Sequence, residues 1–189
     1  MSKPKSGVGV SKSAETYIYK KLAEEITGGT CLDYNLQTKE MKWGHEYEPA
    51  ARELYEQRTG QTVTLCGFIE WSDIFGGSPD GLVGDEGGIE IKCPYNSATH
   101  AQYLLLETPE DLQRLKPEYY TQIQGNMMVC DRKWFDFVSY DPRVQNKSLS
   151  LKILRIPRDD EYIEEIKKAL ERADVFRKEK INKLTMLCA

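Results

Sequence analysis

The chain has 189 residues, 40% of them hydrophobic and 30% charged, with a net charge of −4, which gives enough apolar material for a core and excludes an intrinsically disordered chain. Mean hydropathy is −0.58, no apolar run approaches the roughly 18 residues of a membrane span, and the N-terminal MSKPKSGVGVSKS carries no signal-peptide apolar stretch. An acidic chain is a poor nucleic-acid coat, yet a metal-dependent nuclease stays open, because bound cations reverse the local sign.

The length suits one domain spanning residues 1–189, with residues 1–13 read as a flexible tail. Residues 14–27, with Tyr17, Ile18, Leu22 and Ile26 at helical spacing, predict a helix stopped at Gly28-Gly29. Residues 39–59 predict a second helix burying Trp43, Tyr47, Ala50, Ala51, Leu54 and Tyr55, kinked or broken near Pro49 and ended by Gly60. TVTLCGFIEW alternates as one strand, with Val63, Leu65, Gly67 and Ile69 on one side. A hairpin follows, turning at Asp85-Glu86-Gly87-Gly88. Short helices are expected at 97–106 and 109–115, and a longer one at 117–131 with Pro117 in its first turn. Strands at 134–140 and 149–156 lead to a last helix, about 159–184. Its acidic start and basic end complement the helix dipole, so its charge run reads as a solvated face rather than a DNA-binding stripe. The order of elements predicts an α/β (α+β) fold with a mixed central sheet flanked by helices.

The five cysteines, Cys31, Cys66, Cys93, Cys130 and Cys188, form no CxxC pair. They read as reduced cytoplasmic thiols, against a disulfide framework, a zinc site or an iron–sulfur cluster. His45 and His100 have no local nucleophile beside them and read as surface or half-buried residues.

The chemistry gathers in Ser78-Pro79-Asp80 and Glu90-Ile91-Lys92. Glu90 and Lys92 are two apart on a strand and share a face, with Ile89 and Ile91 on the other. Asp80 enters the facing strand of the hairpin, across from Glu90. Two carboxylates and an ammonium on one face suit metal-assisted phosphodiester hydrolysis: hard oxygen ligands for Mg²⁺, a polarised phosphate and a more acidic bound water. The Ile91 backbone carbonyl is a further candidate ligand. A solvated strand face mimics this pattern by chance in a highly charged chain. However, Pro-Asp-Gly directly before an apolar strand is unusual for a surface loop.

The chain resembles the lambda-type phage exonucleases, the YqaJ-like viral recombinase family of the PD-(D/E)xK nucleases. The likeness runs from Lys3-Pro4-Lys5-Ser6-Gly7 to the last helix. It is carried by Trp43-Gly44-x-x-Tyr47-Glu48-x-x-Ala51-Arg52, Ser78-Pro79-Asp80-Gly81-Leu82, Glu90-Ile91-Lys92-Cys93-Pro94, Tyr119-x-x-Gln122-Ile123-Gln124 and Tyr140-Asp141-Pro142-Arg143.

The resemblance implies a PD-(D/E)xK, restriction-endonuclease-like core. In it Asp80 and Glu90 ligate two Mg²⁺ ions per site (Mn²⁺ substituting), Glu48 completes the site, Lys92 is the catalytic lysine and Gln122 faces the active site. Glu48 by itself reads as half of an i,i+4 pair with Arg52. Gln124 reads as a polar position on an amphipathic helix. Tyr119 reads equally as a core aromatic or as a residue lining the site, and Ser78 as a 5′-phosphate contact or a turn hydroxyl. The implied activity is 5′→3′ digestion of one strand of linear double-stranded DNA to mononucleotides, leaving 3′ overhangs for phage-type recombination. The expected setting is a ring-shaped homotrimer in the cytoplasm of a bacterial host, phage or prophage encoded, partnered by a single-strand annealing protein. The resemblance implies that family members carry roughly forty further residues before the point matching Met1. That segment carries part of the 5′-phosphate grip, so weaker 5′-phosphate preference and lower processivity are expected. The competing readings are a restriction-like or structure-specific endonuclease and a non-catalytic DNA-binding remnant.

Overall fold

The computed structural model describes residues 10–29 and 37–187. They belong to two compact units, Met1–Leu36 with Glu161–Ala189, and Gln37–Asp160. The Lys3–Gly7 motif, Cys31 and Cys188 lie outside the described residues.

The first unit holds helix α1 (Lys12–Thr27) and nearly all of helix α6 (Asp160–Met186). Ser11 caps α1, so the helix starts inside the stretch read as a tail. The α1 stripe differs from the predicted one. Ala14, Ile18 and Leu22 are buried, four residues apart, while Tyr17 and Ile26 are exposed. Tyr19 meets Phe176 of α6 edge-on at 6.2 Å. Along α6 the charges pair within the helix, Lys167 with Glu164, Lys168 with Glu165, and Arg177 and Lys178 with Asp174.

The second unit is built on a five-stranded sheet in the order β1 (Val63–Thr64), β4 (Gly81–Val83), β5 (Gly87–Lys92), β6 (Trp134–Tyr140), β7 (Leu151–Pro157). Only β5 and β6 run parallel, through a crossover of α3 (Ser97–Leu104), α4 (Pro109–Leu115) and α5 (Pro117–Cys130). A separate ribbon pairs β2 (Ile69–Ser72) with β3 (Phe75–Gly77). Helix α2 (Lys39–Thr59) packs on β5, β6 and β7, and α3, α4 and α5 also pack against the sheet. Its central strands β5 and β6 are therefore buried almost throughout, as parallel pairing at a sheet centre demands.

Further expectations need correction. TVTLCGFIEW is not one strand. It leaves the ladder after Thr64 and re-enters as β2 in the other sheet, which leaves Leu65 and Phe68 exposed. Helix α2 runs unbroken through Pro49, which removes only one N–H from the ladder, and Ala50 faces solvent while Ala51 and Tyr55 are buried. The hairpin turns at Gly84-Asp85-Glu86, because Val83 pairs with Gly87. Gly84 takes φ +54°, a left-handed position that favours glycine. Gly88 sits inside β5 for a different reason, since a Cβ there would lie 2.3 Å from the Phe135 ring.

Candidate active site

A cleft of about 800 Å³ opens in the second unit where β4 stops short of the end of β5. It brings together Glu48, Asp80, Glu90, Ile91, Lys92, Tyr119 and Gln122. Ser78 is exposed and is not among its lining residues.

The ladder explains the geometry. β4 pairs with β5 only as far as Gly81 opposite Ile89, so Asp80 falls opposite Glu90 by continuation. The Ile91 N–H then has no strand partner on that edge and donates to Asp80 Oδ2 at 2.6 Å. In a strand the carbonyl of a residue points to the same edge as its N–H. Ile91 therefore turns its carbonyl toward the carboxylate of Asp80 and away from β6.

Glu90 is fully buried. Its Oε1 accepts from Lys92 Nζ at 2.5 Å and its Oε2 from Asn126 Nδ2 at 3.2 Å. Lys92 Nζ also reaches Gln122 Oε1 at 3.4 Å and lies 4.7 Å from the centre of the Tyr119 ring. Burial pushes Glu90 up to about 7, the Lys92 ammonium pulling the other way and Asp80 adding to the rise. Burial works against the charge of Lys92, yet the Glu90 carboxylate beside it leaves the ammonium above its ordinary range. Asp80 is also raised, by burial first, with the Ile91 N–H and Lys92 opposing and the Glu48 carboxylate adding to it.

These shifts test the site against a divalent cation. Burial and a neighbouring carboxylate hold both groups up, Asp80 acting on Glu90 and Glu48 on Asp80, an unfavourable arrangement that a bound cation relieves. With an edge-facing carbonyl beside them, the donors are hard oxygens, as Mg²⁺ or Mn²⁺ prefers. The fit is that of an open site. Among the described residues no three of His, Cys, Asp and Glu form a ready-made metal cage. Glu48 lines the cleft from α2 with its Oε1 engaged by Arg52 at 2.6 Å, the helix pair its spacing suggested. Cys93 is nearly buried, and burial, with Glu48 and Asp80 next, holds its thiol up at about 12, so it is no nucleophile.

Tyr119 is half-buried. Its ring lies 6.3 Å from the buried Phe137 at 27° and also lines the cleft. Gln124 is no surface position. It is fully buried, donates to the Pro157 carbonyl at 2.9 Å and accepts from the Asp159 N–H at 2.9 Å. His100 is buried, with its ring nitrogens at 2.7 Å from Ser139 Oγ and 2.9 Å from the Leu149 carbonyl. Cys66, Cys93 and Cys130 are free thiols.

Sequence reasoning missed Asn126, which holds the second oxygen of Glu90, although it follows Gln122 by one helical turn and so shares its face.

Residues 6–133 match the YqaJ-like viral recombinase domain. The chain belongs to the YqaJ-like viral recombinase family. The whole chain also superposes on 88% of the crystal structure of an alkaline exonuclease (LHK-Exo) from Laribacter hongkongensis, with a TM-score of 0.80 and 35% identity. For LHK-Exo in complex with dAMP the values are 0.79 and 36%, covering 94% of this chain and 86% of that one. A phage related exonuclease from Haemophilus somnus 129PT shares the fold, with a TM-score of 0.74 at 18% identity over 92% of this chain and 85% of that one. No curated protein matches. The family and the LHK-Exo likeness support a nuclease, with the mixed α/β architecture predicted from the order of elements.

Proposed function

We propose that this protein is a divalent-metal-dependent exonuclease that digests one strand of linear double-stranded DNA from its 5′ end. It would release mononucleotides and leave 3′ overhangs for recombination. The observation that carries the reading is the meeting of Asp80, Glu90, the Ile91 carbonyl and Lys92 at the point where β4 gives out. That LHK-Exo is known in complex with dAMP fits a nucleotide product.

In this reading Asp80, Glu90 and the Ile91 carbonyl hold two Mg²⁺ ions with Glu48, or Mn²⁺ in their place. The metal, when bound, would polarise the phosphate and acidify a water. Asn126 holds Glu90 Oε2 and so fixes the orientation of the carboxylate. Lys92 places a positive charge where the scissile phosphate gathers negative charge in the transition state, and Gln122 steadies the ammonium. Tyr119 presents its ring to the same lysine and forms a wall of the cleft. By family resemblance Ser78 would contact the 5′-phosphate, from an exposed position two residues before Asp80 and outside the lining of the cleft. By family resemblance the working form is a ring-shaped homotrimer supplying a single-strand annealing protein.

The test uses end-labelled linear duplex and a covalently closed circle with Mg²⁺, Mn²⁺, Ca²⁺ or excess chelator. Mononucleotide release from the linear duplex alone, and only with Mg²⁺ or Mn²⁺, is expected. Cutting of the closed circle would replace the reading by an endonuclease, and full activity in chelator would remove the metal.

A further inference from the structure

Lys116 stands at the corner where α4 ends and α5 begins. Its N–H donates to the Leu112 carbonyl at 2.7 Å, and its own carbonyl accepts from the N–H groups of Tyr119 and Tyr120 at 3.0 and 3.2 Å. The backbone is therefore held from both helices. Its side chain makes no capping hydrogen bond to α5 and instead crosses the Tyr119 ring, with Nζ 5.8 Å from the centroid. Lys92 lies 4.7 Å from the same centroid. One ring thus carries both lysines of the cleft.

Their circumstances differ. Lys92 is committed to Glu90 at 2.5 Å. The ion pair of Lys116, with Glu118, is 3.6 Å long, and the two side chains are 32% and 53% exposed. That exceeds hydrogen-bond length, and a loose, solvated pair contributes little. Four carboxylates, Glu40, Glu48, Asp80 and Glu90, line the same cleft. A polyanionic strand entering it needs positive charge beyond that of Lys92, which Glu90 already engages.

We propose that Lys116 is a phosphate contact for the bound DNA strand, gripping a phosphodiester other than the one between Asp80, Glu90 and Lys92. The inference rests on the reading above only in taking DNA as the ligand. An ammonium on a phosphate is a point-charge contact, blind to base sequence, that displaces about one counterion.

The experiment measures binding of a labelled linear duplex by fluorescence anisotropy in Ca²⁺ across a salt series. The proteins are the wild-type chain, Lys116→Gln and Lys116→Arg. Lys116→Gln keeps much of the stem that covers Tyr119, so lost packing does not mimic lost charge. It should weaken binding about tenfold at low salt and reduce the slope of log K against log salt by about one, equally for different sequences. Lys116→Arg should restore both. An unchanged slope in Lys116→Gln, or no duplex binding by the wild-type chain, overturns the proposal. Nucleotide release is read separately. A slope change in a chain that releases no nucleotide with Mg²⁺ would sink the exonuclease reading and leave the phosphate contact standing. Full release with an unchanged slope would do the reverse.

Discussion

Asp80, Glu90 and Lys92 are held by polar contacts to the Ile91 N–H, to one another and to Gln122 and Asn126. Replacing any one by alanine should therefore leave the fold and remove hydrolysis. The expected loss in nucleotide release is at least about a thousandfold, or about 4 kcal/mol of transition-state stabilisation. Circular dichroism beside the assay checks that each variant is folded. Asn126 gives a finer test. Its amide donates to the charged form of Glu90 and so opposes the upward push of burial. In Asn126→Ala the Glu90 pKa should rise further, and the acid limb of the pH–rate profile should move to higher pH. A profile that stays in place would mean that the Asn126 bond has no bearing on the reacting carboxylate.

At the scale of elements, β5 carries the site and two devices hold it. Gly88 lets the Phe135 ring lie directly against the strand. Gly88→Ala should cost about 2 kcal/mol in urea unfolding, the usual penalty of an overpacked core. Had Gly88 belonged to the turn, the substitution would cost little. The second device joins the exit of β5 to α2. Arg143 grips buried Asp141 at 2.8 and 3.0 Å, donates to the Pro94 carbonyl at 3.2 Å and lies 4.4 Å over the Trp43 ring. Burial pushes Asp141 up, yet hydrogen bonds from Arg143 and then Ser97 hold it at about 2. Arg143→Ala should therefore destabilise the fold by about 2 kcal/mol, because a buried carboxylate loses its partner. Since α2 also carries Glu48, the metal concentration giving half-maximal activity should rise with it.

For the whole molecule, the same charges couple stability to pH and metal. Glu90 ordinarily titrates near 4.5 and is pushed up to about 7. Between those values the native state binds more protons than the unfolded state, so the stability of the metal-free chain falls as pH rises through the window. Glu90→Gln should flatten that fall. A cation that binds only the native site restores stability, by about 2.7 kcal/mol at a hundredfold excess over Kd. The expected observation is a Tm at pH 8 that climbs with added Mg²⁺ or Ca²⁺ in the wild type and stays level in Asp80→Ala. A Tm indifferent to both pH and cation would mean that the carboxylates are not electrostatically opposed.

Local chemistry made much of this protein legible in advance. The helices at 97–104, 109–115 and 117–130 and the strand at 134–140 follow from period, proline and aromatic runs. The same-face placement of Glu90 and Lys92 follows from the two-residue repeat of a strand. The family motifs supplied Glu48, Gln122 and Tyr119. What sequence left undecided was decided by contacts between distant segments. Alternation ran straight from Thr64 to Ile69, but β1 and β2 found partners in different sheets. A row of glycines looked like a turn, but the Phe135 ring needed one of them inside the strand. Gln124 looked like any polar helix position until Pro157 and Asp159 came to meet it. Asn126 and Lys116 acquired their places only when α5 was laid along the face that bears Glu90 and Lys92. Period and propensity act within a few residues. Which strand edge ends early, and which side chain meets it there, depends on pairing across the chain.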